Sequence, residues 1–189
     1  MAFKNSDPLT NNLSEWVKEV TLKDDSQVTI RPILPEDASL LQEGFSRLSP
    51  ETIYYRFLES ASQLSDVQAR RLATLDYHKQ MAFVAAIDEG GEERLVGVAR
   101  YAIDPSREPG AAETAIVVRD DYQSRGLGTL LYKQLIRYAR LHGVRYFFGT
   151  VHQSNARVMQ FIRSSGLSFT REMLEPGVFL IKIYLNRND

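Results

Sequence analysis

Residues 117–135, VVRDDYQSRGLGTLLYKQL, constrain the fold more than any other part of this chain. An apolar run passes through Arg119, Asp120 and Asp121 into a loop holding Gly126 and Gly128, then into a helical pattern. Leu127, Leu131, Leu135 and Tyr138 are spaced for one buried helix face, while Lys133, Arg137 and Arg140 take the opposite face. Arg140 and His142 in the last turn complement the helix macrodipole, and Gly143 suits a left-handed stop. A strand that feeds a long helix through a glycine loop predicts an α/β domain.

The head of that helix is unusual. In place of a simple Ser, Thr, Asp or Asn cap stands Gln123-Ser124-Arg125-Gly126-Leu127-Gly128. On one reading the glycines leave backbone N–H groups uncovered for close approach by a phosphate, with Arg125 nearby. On the other, Ser124 caps the helix and the glycines ease a turn. No Lys-Ser or Lys-Thr follows the second glycine, so this is not a Walker loop. Leu131 stands where a dinucleotide fingerprint needs its third glycine.

Elsewhere the pattern predicts elements in a definite order. WVKEVTL and VTIRPI around KDDSQ read as a hairpin, and Pro32 places its second strand at an edge or an ending. Pro35-Glu36-Asp37 opens a helix with Leu41, Phe45 and Leu48 on one face. Ser49-Pro50 starts a second helix, with Ile53, Tyr54 and Phe57 inward. Ser65-x-x-Gln68 is a capping box for a third, through about Thr74. MAFVAAI, RLVGVARYAI and AETAIVV are strands, the first pair joined by DEGGEE. After the long helix come the strand VRYFFGTV, the helix NARVMQFIRSS stopped by Gly166, and a closing hairpin of LSFTREML and VFLIKIYL. The near-continuous apolar run at 144–151 predicts a strand covered on both faces.

Composition excludes several function classes. The chain has 189 residues and no cysteine, so it has no disulfide framework, thiolate nucleophile or cysteine zinc site. Twenty-three Lys and Arg against 24 Asp and Glu give no global field toward nucleic acid or a membrane surface. MAFKNSDPLTNNLSEW lacks a signal-peptide core, and no run approaches the roughly 18 apolar residues of a membrane span. These features predict a cytoplasmic chain with neither nucleic acid nor membrane as partner. No His, Asp or Glu grouping has metal-ligand spacing, and none resembles a hydrolase triad.

Gln-x-x-Gly-x-Gly, entered from a strand and opening a long helix, resembles the acyl-CoA pyrophosphate loop of GNAT-superfamily N-acetyltransferases. The element order from about Val28 to Leu185 is similar to that fold. VTIRPILPEDASLL, RLSPETIYYRF and LVGVARY before AETAIVVRDDYQSRGLG look like the catalytic domain of Pat-type bacterial protein lysine acetyltransferases, as does the hairpin at Trp16. The resemblance implies a mixed, mostly antiparallel sheet with a splayed strand pair, flanked by helices. Residues 1–13 are then a flexible segment, 14–27 a hairpin arm and 28–189 the acetyltransferase domain. It also implies acetyl-CoA as co-substrate without a metal. Ile116, Val117 and Val118 would pair with the pantetheine arm. Gln123, Ser124, Arg125, Gly126, Leu127, Gly128 and Thr129 would hold the pyrophosphate. Asn155 would contact the pantetheine, a role compatible with capping its helix.

Acyl transfer to an ammonium needs a base. A Glu at a strand end is ordinarily a solvated charge. Glu113, however, begins the strand entering the loop beside Ala111, Ala112 and Ala115, a setting for partial desolvation. It also matches the AE of the Pat-type motif, the family's general-base position. Glu108, Asp104 and Glu92 lie in adjacent loops, and His152 ends a strand; these are lesser candidates. The tyrosine that many such enzymes place seven residues after the asparagine, as acid for the thiolate, is Ile162 here. Of Tyr54, Tyr55 and Phe57, core packing accounts for Phe57 and one tyrosine, leaving the other and Arg56 for the acceptor groove.

Three functions fit: a lysine acetyltransferase acting on a protein such as an acyl-CoA synthetase, an N-acetyltransferase for a small amine, and a non-catalytic acyl-CoA-binding module. Glu113 counts against the third. A protein acceptor predicts a shallow, partly acidic groove, and a second copy of the chain is a further candidate partner. From these 189 residues, the nucleotide-binding or synthetase-like domain often fused to Pat-type enzymes is not expected.

Overall fold

The computed structural model describes residues 13–58 and 63–185, so the flexible segment expected at 1–13 lies, apart from Leu13, outside the described residues. Among these residues thirteen strands and α-helices follow one another: β1 (Lys18–Thr21), β2 (Gln27–Pro32), α1 (Ala38–Ser46), α2 (Pro50–Phe57), α3 (Asp66–Ala73), β3 (Gln80–Asp88), β4 (Glu93–Ile103), β5 (Ala111–Val118), α4 (Leu127–Leu141), β6 (Tyr146–His152), α5 (Ala156–Ser164), β7 (Phe169–Glu175) and β8 (Val178–Tyr184). The strands form one sheet in the order β1-β2-β3-β4-β5-β6-β8-β7. Every neighbouring pair is antiparallel except β5–β6, which α4 links as a parallel crossover.

The periodicity of α4 matches its packing. Leu127, Leu131 and Leu135 are fully buried and Tyr138 is 1% exposed. The sheet comes close to this helix because β4 carries Gly97, where a methyl group would lie 2.9 Å from Leu131 Cδ1. On the other face, Ile33, Ala73, Leu75, Val84 and Leu95 form a second core. Covered on both faces, β3 reads as an unbroken apolar run. Ser65 accepts from Gln68 N–H while Gln68 reaches back, the expected capping box. Gly143 takes φ 77° and ends α4.

Several local expectations change. Residues Leu13–Trp16 form a 3₁₀ turn, and the strand begins at Lys18. Trp16 leaves the strand because its ring fills a gap against Phe83 and Tyr138, at 5.8 and 4.9 Å between centroids. The hairpin at 14–27 is continuous with the main sheet, since β2 pairs with β3 from Thr29↔Ala86 to Pro32↔Phe83. Tyr54 turns outward at 38% exposure, and Tyr55 turns in beside it.

Candidate active site

The strands β5 and β6 pair only through Ala111↔Tyr146, Ala112↔Phe147 and Glu113↔Phe148. Beyond that point β6 stays with β8 to His152↔Val178, and β5 stays with β4 to Gly97↔Val118. Residues 114–118 therefore have no sheet partner on the β6 side. At the fork Gly149 sits close to the Thr114 carbonyl, which a methyl group there would meet at 3.1 Å. Such a splay leaves backbone donors and acceptors open to an extended ligand.

The alternation of β5 gives the opening two faces. Glu113, Ala115 and Val117 share the side of their register partners Ala102, Arg100 and Val98. Thr114, Ile116 and Val118 face α4 and α5. A methyl group at Gly128 would lie 3.6 Å from Ile116 Cδ1 and 3.7 Å from Val118 Cγ2. A cleft of about 600 Å³ runs through the fork, from Glu113 along β5 to Gly126 and Gly128.

At the loop end, Ser124 does not cap α4. It takes φ 63°, the helix N-cap is Gly126 at φ 92°, and no side chain caps it. The first intrahelical bond runs from Leu130 N–H to the Gly126 carbonyl at 3.2 Å. Among the described residues, no carbonyl accepts from the N–H groups of Leu127, Gly128 and Thr129. Uncovered donors at the positive end of a 15-residue helix suit an anion. Lys23, from the β1–β2 turn, lines the cleft beside Gly126. That turn is tied to the loop by Lys23 N–H donating to the Arg125 carbonyl at 3.3 Å and by the Arg125–Asp24 ion pair.

The structure brings Glu113, Ile116, Val117, Val118, Gln123, Ser124, Gly126, Gly128, Thr129 and Asn155 to this one cleft. Leu127 contributes only backbone, its side chain being core. The Arg125 guanidinium is engaged by Asp24 and lies 4.7 Å from the Tyr122 ring centroid. Gln123 is a tether: its amide donates to the Val118 carbonyl at 3.0 Å and to Thr52 Oγ1 at 3.3 Å, and it accepts from Arg157 at 2.5 Å. Asn155 caps α5 by accepting from Val158 N–H at 3.1 Å.

Glu113 is exposed while Ala111 and Ala112 are buried, so its alanine neighbours do not screen the carboxylate from water. The lesser candidates stand apart from the cleft. Glu108 accepts from Tyr146 Oη at 2.8 Å, Asp104 accepts from Ser106 Oγ at 2.6 Å, and Glu92 pairs with Arg94. His152 Nδ1 meets Ser154 Oγ at 2.6 Å. Ile162 lines the cleft at 3% exposure. The Tyr132 hydroxyl, on the same wall, is pushed up by burial, with a Thr114 hydrogen bond opposing. Glu51 and Arg157 complete a rim of mixed charge.

Lys23, Tyr132, Arg157 and Gly149 carried no signal of their own in the sequence, because each reaches the cleft only through tertiary packing. Among the described residues no cluster of His, Asp and Glu could hold a metal ion, and no helix is long and apolar enough to cross a membrane.

Residues 46–167 match the acetyltransferase (GNAT) family. An acetyltransferase of Pseudomonas aeruginosa is 39% identical over 140 residues, covering 74% of this chain and 73% of that protein. The acetyltransferase Pat of Mycolicibacterium smegmatis is 31% identical over 154 residues, 82% of this chain but 44% of that protein's length. Among solved structures, the GNAT domain of S. lividans PAT superposes with a TM-score of 0.79 at 27% identity, over 90% of this chain and 98% of that domain. The chain therefore belongs to the acetyltransferase (GNAT) family, and its activity is that of an acetyltransferase with acetyl-CoA as co-substrate.

Proposed function

We propose that this acetyltransferase transfers acetyl from acetyl-CoA to a lysine ammonium on a protein, by direct attack with Glu113 as general base. The observation that carries the reading is the position of Glu113. It is the last β5 residue paired to β6, at the mouth of the fork, in the same cleft as the uncovered start of α4.

The pantetheine arm runs along the open edge at 114–118, and the pyrophosphate meets the N–H groups at 127–129 with Lys23 alongside. The parity of β5 then separates the co-substrate, on the Thr114 side, from the acceptor, on the Glu113 side. Glu113 takes a proton from the ammonium, directly or through one water. The amine attacks the thioester carbonyl, and an open β5 N–H stabilises the oxyanion. The C–S bond breaks as the amide forms, and the second proton of the attacking nitrogen passes to solvent. With Ile162 in place of a tyrosine, and with burial holding the proton on Tyr132, the departing thiolate takes its proton from solvent. The exposed rim at Glu113 and Glu51 leaves room for a lysine presented on a folded surface, and the likeness of RLSPETIYYRF to Pat-type domains supports that acceptor.

Glu113→Gln should cut turnover by about 100-fold, the usual scale for a removed base, and abolish the acidic limb of the pH–rate profile. Acetyl-CoA binding should change little. Persistence of both turnover and limb would make Glu113 structural. Mass spectrometry of a lysate incubated with acetyl-CoA should show acetylation on a few lysines that depends on Glu113. Fast turnover of one small amine, with uniform lysine labelling, would instead identify a small-molecule enzyme.

A further inference from the structure

Three arginines converge on the face of the sheet that carries Glu113: Arg56 from α2, Arg71 from α3 and Arg100 from β4. Arg100 sits opposite Ala115, so it leaves the sheet on the Glu113 side. Arg56 lines the main cleft with Glu113, and it also lines an apolar side chamber of about 80 Å³ that Arg100 shares. Arg56 thus stands in the wall between the two spaces.

Other arginines on the sheet or at its strand ends have acids, Arg94 with Glu43 among them. Arg31 pairs with Asp37, and Arg119 with Asp121, each at 2.7 Å. Among the described residues, Arg56 and Arg100 form neither an ion pair nor a side-chain hydrogen bond. Burial holds Arg100 down at about 10, with the charges of Arg56 and Arg71 adding to the effect. Burial lowers Arg56 too, opposed by the charge of Glu113. Half-buried like charges are costly; Arg56 has only the charge of the water-facing Glu113 against it and Arg100 has none, so an anion entering between them would relieve that cost. The loop that suits a pyrophosphate lies beyond Val118 and packs against Ile116 and Val118, on the other face of β5 from Arg100, so this basic pair is a separate feature.

We propose that Arg56 and Arg100 form a carboxylate subsite for the acceptor, so that the amine acetylated here belongs to a molecule bearing a carboxylate close to that amine. Guanidinium forks match a carboxylate in plane and spacing. The carboxylate comes either from an Asp or Glu beside the target lysine or from the α-carboxylate of a free amino acid. This assignment rests on amine acetylation and narrows its acceptor.

The test measures thiol release with two matched acceptor sets: lysine peptides carrying Glu or Gln next to the lysine, and L-amino acids against their amides. One set should favour its carboxylate member by about tenfold or more in kcat/KM, the scale of one charge-assisted hydrogen bond, and that set identifies the source. Arg100→Gln should erase the preference by raising KM for that member, leaving KM for acetyl-CoA unchanged, and Arg100→Lys should restore part of it. Its melting temperature should hold or rise, because a buried like charge is removed. No preference in either set overturns the subsite, as does equal loss on both members with a lowered melting temperature. Calorimetric titration with the N-acetylated acceptor and its amide separates the two ideas. If no amine is turned over, the acetylation reading fails, while carboxylate binding that Arg100→Gln abolishes still supports the subsite. Absence of such binding overturns it.

Discussion

Asp120 accepts from Ser49 N–H at 2.9 Å, Ser49 Oγ at 2.7 Å and Thr52 Oγ1 at 2.7 Å, pinning the first turn of α2 to the end of β5. Burial raises this carboxyl, but the hydrogen bonds from Ser49 and Thr52 outweigh it, and Asp120 sits below the ordinary aspartate value. A depressed folded pKa adds stability that is complete above the unfolded value of about 3.9 and is lost as pH falls through the folded one. Asp120→Asn should therefore cost about 1 kcal/mol at neutral pH, a low figure because the group is partly solvated. Urea unfolding should show this gap closing below about pH 4. A gap independent of pH would mean the charge contributes nothing. Gly126 illustrates a residue that could be read directly. Its φ of 92° is one that a β-branched residue resists. Gly126→Val should weaken acetyl-CoA binding at least tenfold by calorimetry, roughly 1.4 kcal/mol or more. Unchanged affinity would make the loop a helix start and nothing more. Asp120 was not readable in this way, because nothing in Arg119-Asp120-Asp121 tells which carboxylate turns to α2 and which to Arg119.

At the scale of elements, the fork between β5 and β6 depends on Gly149, where the two backbones part. Gly149→Val would drive a side chain against the Thr114 carbonyl, 3.1 Å from the first added carbon. Overpacking of this kind costs about 1–3 kcal/mol and should shift the edge that receives the pantetheine. KM for acetyl-CoA should rise along with a fall in melting temperature; a variant with normal KM would show that the fork tolerates widening. The helix α4 was legible along its buried face and at its C-terminal stop because its apolar spacing and Gly143 agree. The short α2 was legible at its Ser49-Pro50 start but not in its inward face. Tyr54 and Tyr55 are adjacent, about 100° apart on a helix, and only the position of α2 against β5 decides which one enters the cleft.

For the whole molecule, the cleft joins the β1–β2 turn, α2, β5, the α4 loop, β6 and α5, so a ligand filling it bridges elements from most of the chain. Acetyl-CoA at a hundredfold excess over its dissociation constant should stabilise the fold by about 2.7 kcal/mol. For a chain of this size that is a rise of roughly 5–10 °C in melting temperature. Acetate and NADH should give no shift, and an absent shift with every acyl-CoA would sink the ligand assignment. Existence, type and order of the elements were determined by the sequence alone, since they follow from local periodicity, turn residues and caps. The loop at 123–129 stood out for the same reason, being contiguous with a strand and a helix, whereas Glu113 stood out only through the resemblance to Pat-type domains. The tertiary structure alone decided that Lys23 reaches Gly126, that Ser124 leaves α4 uncapped, that Glu113 faces water, and that Arg56 and Arg100 come together with no ion pair to either among the described residues. Those outcomes depend on which distant elements share a sheet face, and that is set by register and packing rather than by any local pattern.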